Sequence, residues 1–391
     1  MSFFKCAAPL ASVLLLHGAD ARFREHTIAT DLAGGYQVVA ADLNHDGRPD
    51  LIALSTRAHE LVWFENPTWA RHVLVSGVNS MINCVAVGAD ADGIPEIVLA
   101  SEFNNVAARS AGVVTVLDHD GDPRRPWKAT EIDRIPTSHR LRLARIDGSG
   151  QPVVVNAALT GPEAQPPDYR GETPLVFYRP GVWKREEIEP RNKGLVHGIL
   201  ALDWNGDGRD EILTAGFEGI HLFEFAGAKW KRTAIAAGAP DPWPKSGSSD
   251  IAVGRIGGER FIAAIEPWHG NQVAIYRQHG GEWQRRVIDT SLVDGHTIVA
   301  ADLDGGGNDD VVAGYRGGNH NLLLYRYEAG EWQRQVLDEG GMGAAACAVA
   351  DLNGDKRPDV VCIGSATANL KWYENLGPGG NGDARGLQAR R

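Results

Sequence analysis

Methionine and cysteine are scarce in this chain, with 3 and 4 copies in 391 residues. No stretch sustains the 3.6-residue apolar period of an amphipathic helix, which excludes a helical bundle or a coiled coil. Beyond an apolar run at the N-terminus, no segment is long enough to span a membrane. The formal net charge is −11 and there is no basic stripe, so nucleic acid is not an expected partner. Glycine and tryptophan are plentiful, at 47 and 11 copies. Short runs such as LVWFEN, VVTVL and NLLLYRY are rich in β-branched and aromatic residues, and turn residues separate them. The chain therefore reads as all-β.

The first 21 residues have the order of a secretory signal. Lys5 supplies the positive end, CAAPLASVLLL the apolar core, and Ala19-Asp20-Ala21 a small-x-small cleavage site. A mature chain starting at Arg22 in the periplasm or outside the cell is the expectation, against a competing reading as a buried first strand. Cys6 would leave with the signal, and Cys84, Cys347 and Cys362 would remain. Cys347 and Cys362 are symmetric about a turn at Gly354 and Asp355. A disulfide is open to them in an oxidising compartment, but their small-residue strands favour buried thiols.

Two interleaved signals recur, each seven times. One is an Asp-rich loop, starting at Asp42, Gly88, Arg145, Asp203, Gly254, Asp302 and Asp351 at intervals of 46 to 58 residues. The other is an aromatic residue followed five positions later by Ile or Leu, as in WKREEI from Trp183 and WQRQVL from Trp332. Its seventh copy, FREHTI from Phe23, stands at the start of the mature chain. Each unit would be four strands, and the last unit lacks its fourth. The N-terminal strand can fill that vacancy and remove two unpaired sheet edges. A seven-bladed β-propeller over 22–376 follows, with a flexible tail over 377–391.

In the first loop, Asp42, Asn44, Asp46 and Asp50 put oxygens at positions 1, 3, 5 and 9, with Gly47 for the tight turn. Hard oxygen ligands at that spacing suit Ca²⁺. Asp203, Asn205, Asp207 and Glu211 repeat the set, as do Asp351, Asn353, Asp355 and Asp359. The loop of Asp302, Asp304 and Asp310 has Gly306 in place of the third ligand, and the other three loops are degraded. The plain alternative is that these are self-satisfied Asx turns. The loops resemble FG-GAP or VCBS repeats over nearly the whole mature chain, a resemblance that implies fold and calcium rather than an activity.

The Asp loops lie at one end of such a propeller, and the inner strands begin at the other. Six residues before each loop stand Tyr36, Ile82, His139, His197, Ser248, His296 and Ala345. Three of the chain's 13 histidines thus share one equivalent position, which sevenfold symmetry would carry to the mouth of a central channel. As ring-nitrogen donors, His139, His197 and His296 suit Zn²⁺ or another divalent metal, or an acid/base set. Water-bound channel histidines are the plain alternative. Loops opening on the same face carry Trp268 and His269 (EPWHGN), Arg316 and His320 (RGGNHN), and Tyr169 with Arg170 in a long blade-three loop. A funnel of His, Arg, Tyr and Trp suits a polar, ring-shaped ligand. Trp268 would stack on a sugar face, Arg316 would orient oxygens or pair with an acid, and Tyr36 is expected to be mainly structural.

The segments SGSSDIAVGRIGGERFIAAIEPWHGNQVAIY, DGHTIVAADLDGGGNDDVVAGYRGGNHN and GLVHGILALDWNGDGRDEIL together resemble the propeller domain of aldos-2-ulose dehydratase and its bacterial relatives. That resemblance implies a carbohydrate hydro-lyase acting on a 2-keto sugar, such as 1,5-anhydrofructose or an aldos-2-ulose. The family's additional C-terminal cupin-type domains have no counterpart here, so its isomerase activity is not implied. His139, His197, His296 and His269 are then the candidates for proton transfer and metal binding, with Trp268, Arg316, His320, Tyr169, Arg170 and Tyr36 for substrate. A polysaccharide lyase acting on uronate-containing glycans and a non-catalytic, calcium-stabilised ligand-binding propeller are the competing readings. No motif specific to a quinone dehydrogenase is present.

Overall fold

A computed structural model describes residues 21–88, 93–227 and 229–378. The expected signal at 1–21 and tail at 377–391 fall almost wholly outside these residues, as does the centre of the Gly88 loop. Seven four-stranded antiparallel sheets follow one another along the chain. Their inner strands are Gly35–Ala41, Asn83–Val87, Ser138–Ala144, Val196–Leu202, Ile251–Ile256, Gly295–Ala301 and Ala344–Ala350. Each touches the next, and the seventh touches the first, so the sheets close into a seven-bladed propeller. The last blade takes its outermost strand from the N-terminus: Ala21–Ala29 pairs antiparallel with Leu370–Pro378.

The strand patterns follow from position in the blade. Second strands such as Asp50–Ser55, Val153–Ala158 and Asp310–Tyr315 are buried at every residue, because neighbouring blades cover both faces. Hence they read as unbroken apolar runs rather than alternating ones. Outer strands such as Lys229–Ala236 are largely exposed. Between blades seven and one, Val361, Ile363 and Trp372 pack on Leu51, Val62 and Phe64. Each such side chain contributes about 1.5–3 kcal/mol by leaving water. Polar clasps reinforce the outer seams. Asp289 of blade five accepts from Tyr325 Oη at 2.8 Å and lies 3.0 Å from Arg334 Nε in blade six. Asp133 with Tyr178 and Arg185, and Asp338 with Tyr373 and Lys371, repeat the arrangement at other seams.

Two features of the inner strands build the channel. The first is a β-bulge, a register break that re-aims one side chain. It recurs between Gly35 and Gln37, Ser138 and Arg140, Val196 and Gly198, Gly295 and Thr297, and Ala344 and Ala346. The residues inside the breaks are Tyr36, His139, His197, His296 and Ala345, the positions counted back from the Asp loops. The second is a row of stitches one residue further on. Gln37 Oε1 accepts from Cys84 N at 2.6 Å, and Asn83 Oδ1 from Leu141 N at 2.9 Å. Asp250 Oδ2 accepts from Ile298 N at 3.2 Å, and Thr297 Oγ1 from Cys347 N at 3.0 Å. In each case a side chain of one blade holds the backbone of the next. Blade four has Gly198 there, since a Cβ would lie 2.6 Å from Ser249 O.

The stitches also correct the count in blade five. Asp250 occupies the stitching place, so the residue equivalent to the histidines is Ser249, not Ser248. Ser248 instead donates to Glu266 Oε1 at 2.6 Å. A second correction concerns the cysteines. Cys347 and Cys362 face each other across the hairpin and are joined in a disulfide, where buried thiols were expected. Cys84 is a free buried thiol, its pKa pushed up to about 12 by burial.

Candidate functional site: a histidine array at the channel mouth

Tyr36, His139 and His197 line the base of a cavity of about 670 Å³, and His296 and Ala345 lie just beneath it. His139, His197 and His296 are buried, and His269 reaches them from the EPWHGN turn. Ring centroids of His197 lie 5.0 Å from those of His139, His269 and His296. The turn that brings His269 in is tight. A Cβ at Gly270 would sit 2.2 Å from Glu266 O, and His269 itself adopts φ 50°. Trp268 packs beside His269 with centroids 4.6 Å apart, and its buried Nε1 has no hydrogen-bond partner.

His197, His269 and His296 each bring one ring nitrogen to within 4.8 Å of the others. Among the described residues this is the one such group of three drawn from His, Cys, Asp and Glu. His296 Nδ1 lies 2.5 Å from Ala345 O, an acceptor only, so that nitrogen carries the proton. Its Nε2 is left as a buried lone pair with no partner. His197 Nε2 lies 3.3 Å from His269 Nε2 and 3.4 Å from Arg140 Nη2, which a metal would displace, and its Nδ1 lies 3.2 Å from Ser249 Oγ. An unpartnered lone pair, two facing nitrogens and backbone or hydroxyl support behind them fit a borderline-soft divalent metal. The trio differs from the expected one: His269 takes the place of His139. The Nε2 of His139 is instead engaged by Tyr36 Oη at 2.9 Å. Tyr36 is therefore part of the array rather than only scaffold.

Electrostatics keep these rings neutral. Burial holds the pKa of His139, His197 and His296 well below the usual histidine range, and the Arg140 guanidinium adds to it. Burial and then Arg316 push His269 down to about 3. Arg316 lies on the cavity wall. Its Nε and Nη2 donate to Asp294 at 3.0 and 2.9 Å, and Nη2 also reaches His269 Nδ1 at 3.2 Å. Both parts weighed for Arg316, orienting oxygens and pairing with an acid, are thus compatible with its place.

Three expected substrate contacts lie elsewhere. Tyr169 is buried edge-on against Trp268, centroids 5.9 Å apart, and supports that ring from behind. Arg170 is exposed, 3.5 Å from Asp168 and over the ring of Trp243. His320 packs toward Gly343 and does not line the cavity. Sequence reasoning missed Asp294, Arg140, Arg57 and Phe103. Asp294 and Arg140 adjoin the periodic histidines but have no periodicity of their own.

At the opposite end, the first, third and fifth residues of the Asp loops turn their oxygens toward the loop's own amides. Asp42 Oδ2 accepts from Gly47 N at 2.8 Å and Asn44 Oδ1 from Asp46 N at 3.1 Å. The same bonds recur around Asp203, Asn205 and Asp207, and around Asp351, Asn353 and Asp355. The ninth residue is placed differently from the expected open ligand. Both oxygens of Asp50 accept backbone amides, from Leu43 at 2.9 Å and Asn66 at 2.8 Å, and Asp359 does the same with Leu352 and Asn375. Glu211 bonds Trp204 N and Asn205 Nδ2. The blade-six loop differs: Asp302 Oδ1 and Asp310 Oδ2 are buried without a partner, beside Asp304.

Residues 111–279, which include His139, His197, Trp268 and His269, match the family described as aldos-2-ulose dehydratase, beta-propeller domain. The chain resembles a sugar dehydratase propeller. Residues 302–362, which carry the Asp302 and Asp351 loops, match the FG-GAP-like repeat. Aldos-2-ulose dehydratase of Phanerodontia chrysosporium is 30% identical over 241 residues, covering 53% of this chain and 26% of that protein's length. Among solved structures, a chain from the crystal structure of BBS1N in complex with ARL6DN superposes with a TM-score of 0.55 at 12% identity, covering 91% of this chain and 97% of that one. A chain from the mitotic checkpoint complex gives 0.59 at 11% identity, covering 96% and 98%. At such identities these two speak for the propeller fold alone.

Proposed function

We propose that the protein is a hydro-lyase that removes water from a 2-keto sugar, such as 1,5-anhydrofructose or an aldos-2-ulose. The observation that carries this reading is the convergence of His197, His269 and His296 beside the Tyr36–His139 pair, beneath a cavity walled by Trp268 and Arg316. The similarity to a sugar dehydratase propeller supports it.

A sugar ring laid on Trp268 would present its oxygens to Arg316, held in aim by Asp294. The hydrogen on C3 of a 2-keto sugar is acidic because the resulting charge delocalises into the C2 carbonyl. A divalent metal held by His197, His269 and His296 would supply Lewis-acid polarisation of that carbonyl. Tyr36 Oη takes the C3 proton while its own proton passes to the neutral His139 Nε2. The C3–H electron pair becomes the C3–C4 double bond as the C4–O bond breaks. The departing hydroxyl takes the proton returned by the pair and leaves as water. Calcium in the Asp loops is proposed as a stabiliser, supported by the unpartnered oxygens of Asp302 and Asp310. Export to the periplasm or beyond is supported by the Cys347–Cys362 bridge.

The test offers purified protein 1,5-anhydrofructose, glucosone and uronate-containing oligosaccharides while the ultraviolet absorbance of a new conjugated enone is followed. Turnover of a keto sugar, lost in His197→Ala and His296→Ala together with bound metal, supports the proposal. No reaction with any of them, or wild-type rates in both variants, overturns it. Cleavage of uronate oligosaccharides alone would assign a polysaccharide lyase, for which Arg57 and Arg316 on the wall are ready carboxylate partners.

A further inference from the structure

The central channel holds a second chamber of about 440 Å³, on the Asp-loop side of Tyr36 and His296. Its wall carries Arg140, Arg142 and a single acid, Asp250. Two arginines against one aspartate leave one uncompensated positive charge. The nearest partners of both guanidinium groups are neutral. Arg142 Nη1 donates to Leu141 O at 2.8 Å and Asn83 Oδ1 at 3.3 Å. Arg140 reaches His197 Nε2 at 3.4 Å and lies 5.4 Å over the ring of Tyr36. Among the described residues neither forms an ion pair, although Arg140 is only 6% exposed. A buried cation without a counter-charge is costly, so the chamber favours an anion.

The stitches between blades add a second, independent reason. Asn83 and Thr297 each turn an oxygen to Leu141 N and Cys347 N, and Gln37 turns both its carbonyl and one amide N–H to Cys84. Asn83 retains amide N–H donors for the chamber, and Thr297 retains its hydroxyl hydrogen beside one lone pair. Asp250 also commits one oxygen, to Ile298 N. Among the polar side chains of the wall, donors thus outnumber acceptors.

We propose that this chamber binds a small monovalent anion, of halide or short-carboxylate size, between Arg140 and Arg142. The bound charge neutralises the channel beneath His197 and is independent of what the upper cavity turns over. Bromide serves as the probe. Crystals of the wild-type protein grown in sodium bromide should show an anomalous bromine peak within hydrogen-bond reach of Arg142. Increasing bromide should raise the melting temperature saturably in wild type and in Arg142→Lys, and should give no such rise in Arg142→Met. At bromide near 100 times its dissociation constant, the folding equilibrium would shift by about 100-fold. A chamber without a bromine peak overturns the proposal, whether or not the variants fold. So does a bromide response in Arg142→Met equal to that of wild type.

Discussion

Tyr36 Oη and His139 Nε2 are 2.9 Å apart although 103 residues separate them in the chain. Each sits in the bulge of its own inner strand, and the two bulges aim them at the same point. Tyr36→Phe keeps the ring and removes the proton-carrying atom. Its turnover of a keto sugar should fall by about 100-fold or more with an unchanged melting temperature. Stopped or steady-state enone absorbance measures it, and full activity would remove Tyr36 from the mechanism.

Asp294 fixes Arg316 through two bonds along one edge of its guanidinium. Asp294→Asn keeps the shape and loses the charge that orients it. KM for the sugar should rise about 10-fold, with kcat changed less. A fall in kcat at constant KM would instead place Asp294 in the chemistry.

Burial, and then the neighbouring Asp304 carboxylate, push Asp310 up to about 7. A cation at the unpartnered oxygens of Asp302 and Asp310 would offset that cost. Chelation with EGTA should therefore lower the melting temperature, calcium should restore it, and Asp310→Asn should blunt the response. An unchanged midpoint on chelation would leave the Asp loops as self-satisfied turns.

His221, away from the site, offers a clean pH linkage. Burial and then the Arg232 charge hold it down to about 4, against 6.5 for a free histidine. A depressed histidine contributes stability above pH 6.5 that is lost as pH falls toward 4, because the unfolded chain takes up the proton first. In His221→Gln, denaturant unfolding between those pH values should show a slope smaller by about 1.4 kcal/mol per pH unit at most. An unchanged slope would mean that His221 takes up its proton in the folded protein as readily as in the unfolded chain.

The Ala21–Ala29 strand closes the last blade across residues from the opposite end of the chain. Removing residues 1–29 should lower the melting temperature and make the protein aggregate, because Leu370–Pro378 becomes an open edge. Light scattering during a thermal ramp reads both effects.

The blades were legible because each is built from local contacts. Turn residues, apolar runs and the aromatic signal all repeat at one spacing, and FREHTI at the wrong end of the chain already implied closure. The histidine ring was legible in part. The bulge lies at a fixed offset from the Asp loop, so counting back found Tyr36, His139, His197 and His296. It failed in blade five, where the strand enters without the bulge and Ser249 takes the place. Loop paths were the least legible. Tyr169, Arg170 and His320 stand on mouth-side loops yet miss the cavity, since a loop's course depends on what it packs against.

The sequence by itself determined the number of blades, their order and the end at which the histidines would gather, because repeat spacing and strand polarity are local properties that sevenfold closure multiplies. Only the tertiary structure decided which histidines share a centre, that Tyr36 joins them, and that Arg140, Arg142 and Asp250 meet below. Those relations run between blades dozens of residues apart. They are set by bulges and cross-blade hydrogen bonds, which leave no periodic trace in the order of residues.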